Sequence, residues 1–370
     1  MKSKTLWITL LVLCGLGGLG YGRRDTIMAW YYVRQLSFAY QDNRDGWIKR
    51  VVALDAAALP RVLAGMSDSD ALICDNMRMA LAAFVRKWGA GDPRSHALVV
   101  RLCERYDTLG PIGREKTLYF MTAYLQQDGA KPLSPALAKE IGELLLSAER
   151  TDTLRPIALL LAAELIDCVQ PGQWVDVCRG MAERGLADQR QGERVAALRL
   201  MGRTPMRKDK QLLVKAIPLL ADRQAAVRRA ALLALASEKE LVLEEALMPL
   251  LHDDDPEVQY YCELALRHRG LTDSDLELAR DISHKDPAIR MRVLHLLPSL
   301  PDLNLAEWLR QLSQDPSPAV RAAAVRAAGE SRLVDMSARL RDMAANDPSE
   351  TVRLNAQFYA RQRAARVAQE

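Results

Sequence analysis

Patterns that carry chemistry are scarce in this sequence. Six cysteines, Cys14, Cys74, Cys103, Cys168, Cys178 and Cys262, include no CxxC pair, and five histidines, His96, His252, His268, His284 and His295, show no HExxH or related spacing. Neither a zinc site nor a disulfide framework is indicated, and Cys168 and Cys178 would pair only if the turn between them brought them together. No GxSxG elbow, P-loop or Cys/His dyad is legible, so no catalytic, metal or cofactor residues are expected. Aromatic residues are few, at 5%, which suits helices packed through Ala and Leu. An excess of one charge is missing too. The 51 basic and 47 acidic side chains leave +4 over 370 residues, too balanced to require a nucleic-acid partner.

What is present is a phrase that returns at a constant step. An acidic or polar turn is followed by Val/Ile-Arg and an Ala/Leu-rich helix, with the apolar anchor at Val227, Val258, Ile289, Val320 and Val352. The steps are 31, 31, 31 and 32 residues, which means stacked copies of one unit. A chain of this length exceeds what one globular core usually serves, and a solenoid with a continuous core resolves that. Around Val227 the positions Ala230, Ala231, Ala234 and Leu235 complete an i, i+3, i+4, i+7, i+8 buried face. Val258, Tyr261, Cys262, Ala265 and Leu266 repeat it, as do Val320, Ala323, Ala324, Ala327 and Ala328. First helices are expected over 212–220, 241–251, 303–312 and 333–343. The fold class is all-α, a solenoid of stacked antiparallel helix pairs.

Turn chemistry agrees. Pro256, Pro287 and Pro318 stand two residues before the anchor, where proline suits the first turn of a helix, and Asp315-Pro316 and Asp347-Pro348 mark the preceding turn. Aspartate there caps free N–H groups at the positive end of the helix. Arginine follows the anchor at Arg228, Arg290, Arg321 and Arg353, with Gln259 as the exception.

The combination of Asp-Pro turn, Val-Arg step and Ala/Leu helix resembles HEAT repeats, in the short form also found in phycobilisome-lyase-like proteins. The resemblance is clear over five repeats, from about Leu212 to Gln362. It implies a ladder in which Asp222, Asp253, Asp315 and Asp347 bond along the stack with Arg228, Arg290, Arg321 and Arg353. His284 in place of the aspartate and Gln259 in place of the arginine imply an interrupted ladder. The same arginine row admits a second reading, a phosphate-binding stripe, with Arg229, Arg292 and Arg326 as further basic residues unmatched by a regular acid. The acidic triplet Asp253, Asp254 and Asp255 sits at a repeat turn, where caps and ladder residues are expected rather than a metal.

Three segments are expected: 1–24, a transmembrane anchor or signal peptide; 25–207, irregular helical hairpins at steps of 35 to 41 residues; and 208–370, the regular repeats. Residues 5–22 carry no charge, follow Lys2 and Lys4, and end at Arg23 and Arg24. Eighteen helical residues rise about 27 Å, just enough to cross a bilayer core. A retained anchor is the preferred reading, with a cleaved signal as the alternative, because two arginines follow the possible cut after Gly22. Gly15, Gly17 and Gly20 satisfy GxGxxG without the strand and helix that motif requires. Gly18 and Gly22, spaced as GxxxG, allow a homodimer. Trp30, Tyr31, Tyr32, Phe38 and Tyr40 then form either an interfacial belt or, preferably, the cap of the stack. The organisation expected is a single-pass protein of a bacterial inner membrane. Its soluble part would lie outside the cytoplasm, with a secreted form after cleavage or a cytoplasm-facing one as the alternatives, and bind protein partners as a scaffold or adaptor. The rivals are a lyase-like enzyme acting on a bilin-type chromophore and a nucleic-acid binder.

Overall fold

The computed structural model describes residues 24–170, 172, 174–296, 305–331 and 333–367. The uncharged run 5–22, with Cys14 and both glycine patterns, lies outside the described residues. Among the described residues there are twenty α-helices and no strand, and no helix is long and apolar enough to cross a membrane. The chain is an all-α solenoid, divided between Lys215 and Ala216 into two compact units.

In the first unit, α1 (Arg24–Ser37), α2 (Gln41–Ala53) and α3 (Leu59–Gly65) precede a two-layer stack. One layer holds α4 (Ala71–Trp88), α6 (Pro111–Leu125), α8 (Arg155–Ile166) and α10 (Gln191–Met201), each packed on the next. The other holds α5 (Pro93–Arg105), α7 (Pro135–Glu149) and α9 (Val175–Leu186). Proline opens α5, α6 and α7, where its missing N–H costs nothing, and the Asp92 and Ser134 side chains cap Arg94 and Leu137 N–H. Helix α8 buries Ile157, Leu159, Leu161, Leu165 and Ile166 around most of its circumference, which fits its place between α6, α7 and α10. Met77, Ala80, Leu81 and Phe84 form the core face of α4. Buried Asn76 donates from Nδ2 to the Leu36 and Ala39 carbonyls, both at 2.9 Å, and so fixes the C-terminus of α1 on α4.

The second unit repeats helix pairs. Second helices are α12 (Ala225–Leu235), α14 (Pro256–His268), α16 (Pro287–Leu296), α18 (Pro318–Glu330) and α20 (Glu350–Val367). First helices are α13 (Glu244–Leu247), α15 (Asp273–Ile282), α17 (Leu305–Leu312) and α19 (Ser337–Asn346), with α11 (Lys210–Ala216) at the unit border. The expected first helices 212–220 and 241–251 are shorter than their apolar spacing suggests. Each tightens into 3-10 turns, Ile217–Ala221 and Met248–His252, because Pro218 and Pro249 lack the N–H an α-helix needs.

Buried faces follow the expected register in α12, where Val227, Ala230, Ala231, Ala234 and Leu235 are all core. In α14 Tyr261 is half-buried, while Val258, Cys262, Ala265 and Leu266 are core. In α18 the register is rotated: Val320, Ala324, Val325, Ala328 and Gly329 are buried, and Ala323 and Ala327 only half so. Tyr359 of α20 explains the turn, since its ring rests on Gly329 where any Cβ would overlap it. All five described cysteines are free, Cys168 and Cys178 included. Burial pushes the Cys103, Cys178 and Cys262 thiols up to about 12 and that of Cys168 to about 11; Cys168, Cys178 and Cys262 are small apolar core groups, while Cys103 is half-buried.

Candidate functional site

The ladder residues meet in a fixed pattern. Arg228 reaches forward one repeat and grips Asp253 with Nε and Nη2, both at 2.6 Å. Arg290 holds Asp315 at 2.7 and 2.9 Å, and Arg321 holds Asp347 at 2.9 Å through both nitrogens. The third arm of each guanidinium, Nη1, turns back to its own repeat. It donates to the carbonyls of Asp222, His284 and Asp315 for Arg228, Arg290 and Arg321, and to that of Asp347 for Arg353. Each turn aspartate also accepts the amide two residues on: Gln224 for Asp222, Asp255 for Asp253, Ser317 for Asp315 and Ser349 for Asp347. In Asp253, Asp315 and Asp347 one carboxylate thus closes its turn and bonds its neighbour, a bidentate pair that engages both oxygens. Arg290, Arg321, Asp315 and Asp347 are buried, so these rungs are structural charges desolvated together rather than a stripe open to phosphate.

The electrostatics follow the geometry. The Arg321 hydrogen bond draws the Asp347 carboxyl below the usual range. Burial works against ionisation of Asp253, but the bonds from Arg228 and the Asp255 amide outweigh it, and its pKa also falls. Arg229 and Arg326 are not the unmatched cations expected from sequence: Arg229 pairs with Glu257, and Arg326 lies 3.4 Å from Glu330. Asp255 of the acidic triplet caps α14 by accepting Glu257 and Val258 N–H.

Between Val258 and Ile289 the rung is absent. Gln259 keeps only the backward bond, to the Asp253 carbonyl. His284 keeps only the turn bond: its Nδ1 accepts the Asp286 amide at 3.0 Å, standing in for a carboxylate oxygen. That bond fixes Nδ1 as the unprotonated nitrogen. Its ring meets His252 edge to face at 5.3 Å, and His252 Nε2 bonds the Arg280 carbonyl at 2.7 Å. Helices α14 and α16 pack more sparsely than any other successive second helices of this unit among the described residues.

A groove of about 1010 Å³ opens beside this gap. Its walls come from the segment 241–249, from Ile282 to Lys285 with Arg290, and from Arg310 to Pro316, with Ile217 at one edge. Val242, Met248, Ile282 and Leu312 give it a buried apolar floor, while Leu243 is 59% exposed at the rim with Glu245, Lys285 and Arg310. Gln311 closes one side by donating to the Met248 thioether at 3.3 Å. The Ser283 hydroxyl is committed to the Ala279 carbonyl at 2.7 Å. Such a volume lies at the upper end of small-molecule pockets, and an apolar floor with a few charged rim groups suits a peptide segment. In the first unit a cleft of about 830 Å³ is lined by Lys131, Arg179, Lys208 and Asp209 among others.

Two further features escaped the sequence pattern. Arg269 has a fully buried side chain, at 0% exposure, and donates to the Leu235, Ala236 and Val242 carbonyls while meeting Glu244 at 3.4 Å. Arg363 does the same for Ala328, Ser331 and Val334. Both stand eleven residues after their anchors and cap the end of the preceding second helix. Their spacing from Val258 and Val352 was the available signal, but only two repeats carry it. The rung geometry also extends into the first unit. Arg194 donates to the Asp188 and Gln189 carbonyls, Asp188 accepts the Arg190 amide at 2.8 Å, and Arg155 lies 3.8 Å from the Asp188 carboxylate.

No curated protein matches the chain. Residues 272–360 match the family model of HEAT repeats, a stretch that contains the rungs of Arg290 and Arg321 and the turn of Arg353. With the paired helices and the Arg–Asp rungs, that match supports an all-α solenoid whose residues 272–360 are similar to HEAT repeats.

Proposed function

We propose that the chain is a membrane-tethered scaffold that holds an apolar segment of a protein partner in the groove beside the interrupted ladder. The observation that carries this reading is the groove itself, built from successive repeats where the rung of Gln259 and His284 is missing. Solenoids bind by accumulating modest contacts over adjacent repeats, and a missing rung frees side chains that stacking would otherwise consume. Tethering is read from the uncharged residues 5–22 between basic flanks, and an extracytoplasmic soluble part at a bacterial inner membrane is proposed with it, by the short N-terminal tail rather than by the nearly balanced flanking charges.

A photo-crosslinking residue at Leu243, in chain purified from native membranes, tests the groove. A partner captured there, not captured from Leu354, and lost when Lys285→Glu is added, is the expected result. Equal capture at Leu243 and Leu354 overturns it. The same preparation separates the rivals: a coloured ligand retained on the chain marks a lyase-like role, and a bound nucleic acid shows a steep loss of affinity with salt.

A further inference from the structure

Helix α1 is apolar on two faces. Ala29, Val33 and Leu36 are buried in the first unit, whereas Ile27, Trp30, Tyr31 and Phe38 stand exposed with Arg34 among them. On the helix the exposed set Ile27, Trp30, Tyr31 and Arg34 falls at i, i+3, i+4 and i+7, one continuous stripe, and Phe38 and Tyr40, at 63% and 71% exposure, follow just beyond the helix end. A cap of the stack would show a polar outer face. This one shows Trp and Tyr, residues with an apolar body and a polar tip. The Arg34 guanidinium lies 5.3 Å over the Trp30 ring, and Arg50 lies 4.5 Å over Trp47, which meets Tyr31 edge-on at 6.1 Å. Aromatic rings carrying arginines are the side chains that settle at a lipid–water boundary.

The sequence supplies the occupant. The uncharged run 5–22 ends at Arg23, and α1 begins at Arg24. Its stripe therefore lies within about 25 Å of the end of that run, by helix rise. We infer that the exposed face of α1 lies in the interfacial layer of the bilayer, so that the first unit rests on the membrane instead of hanging from its tether. This rests on the tethering proposed above. The exposed charges around the stripe nearly cancel, with Arg24, Arg34, Lys49 and Arg50 against Asp25, Asp42 and Asp45. Contact is therefore driven by apolar burial and persists at high salt.

The test uses the full chain in phosphatidylcholine vesicles, in a Cys14→Ser, Cys103→Ser background that removes the half-buried thiol as well. A nitroxide is placed on Tyr31→Cys, on Phe38→Cys and, as an exposed control, on Leu354→Cys. The expected result is several-fold greater relaxation by dissolved oxygen than by an aqueous nickel chelate at 31 and 38, with the opposite ratio at 354, at low and high salt alike. Probes at 31 and 38 that behave like 354 overturn the inference. Resistance of the same vesicles to alkaline extraction reports the tether separately, so the two readings fail independently. Probes shielded from both reagents, with spin–spin broadening that vanishes on dilution with unlabelled chain, show a second copy on this face and also overturn it. Failure of the chain to float with vesicles overturns both readings.

Discussion

Ala324 lies at 1% exposure on the buried face of α18, a helix in contact with α16 and α20. Replacing its methyl by a carboxylate leaves an unpaired charge without water, at a cost of about 3–5 kcal/mol. Ala324→Glu is therefore expected to lower the thermal midpoint markedly, and a melt like that of the parent would show the register to be wrong. Arg321 poses a different problem at the same scale. Its side chain serves a carboxylate ahead and two carbonyls behind. Arg321→Met strands buried Asp347, and destabilisation of about 3–5 kcal/mol is expected. Arg321→Met with Asp347→Leu should recover much of that, because an apolar pair leaves no orphan charge. Urea titrations of the single and double variants measure the difference.

At the scale of the element, the gap at α14 and α16 invites repair. Gln259→Arg with His284→Asp rebuilds the forward rung, since the residue types and offsets are those of Arg228 with Asp253. The two substitutions are expected to couple favourably by about 1–3 kcal/mol in a double-mutant cycle, and to reduce capture at Leu243 by drawing the groove walls together. Additive melting temperatures would show that the two positions do not face each other. Arg269 governs another element. Its guanidinium ties the turn 236–243 to the end of α12, so Arg269→Met leaves the Ala236 and Val242 carbonyls unsatisfied. Amide exchange across 236–247 should accelerate while that of α18 stays unchanged, and a uniform change across both would assign Arg269 a merely global role.

At the scale of the whole molecule, the lowered carboxyls set the acid limb of stability. For Asp253 and Asp347 the folded pKa lies below the unfolded value, so their contribution is fully present above about 4 and is lost as pH falls towards the folded values. The thermal midpoint is therefore expected to decline below about pH 4, and more gently in Arg228→Met, which lacks the bond that lowers Asp253. An unchanged slope in that variant would place the acid sensitivity elsewhere. Glu193 has the opposite sign: burial raises its pKa, and ionising it costs stability as pH rises.

The second half of the chain was legible because its period, turn aspartates and anchor-plus-one arginines are local patterns, each dictated by how a helix starts, stops and buries one face. The rung partners were legible only as a set, through resemblance. Period alone did not show that Arg228 reaches forward to Asp253 while turning back to Asp222, since both choices satisfy the same spacing. The shortened helices at Pro218 and Pro249 were misjudged because apolar spacing outweighed a missing N–H. The groove was not legible at all, the clamp of Arg269 had only a spacing shared by two repeats, and the aromatic cluster after residue 24 was legible without showing which of its residues the fold would bury. Periodicity and capping act within a few residues, so the all-α stack of helix pairs follows from them, with Gln259 and His284 as departures from the repeated phrase; that these departures break a ladder was implied by the resemblance. Tertiary structure alone decided what the break produces and which apolar stripe faces outward. Those depend on neighbours 25 to 63 residues away, such as Asp253 for Arg228 and Met248 for Gln311, whose meeting no local pattern encodes.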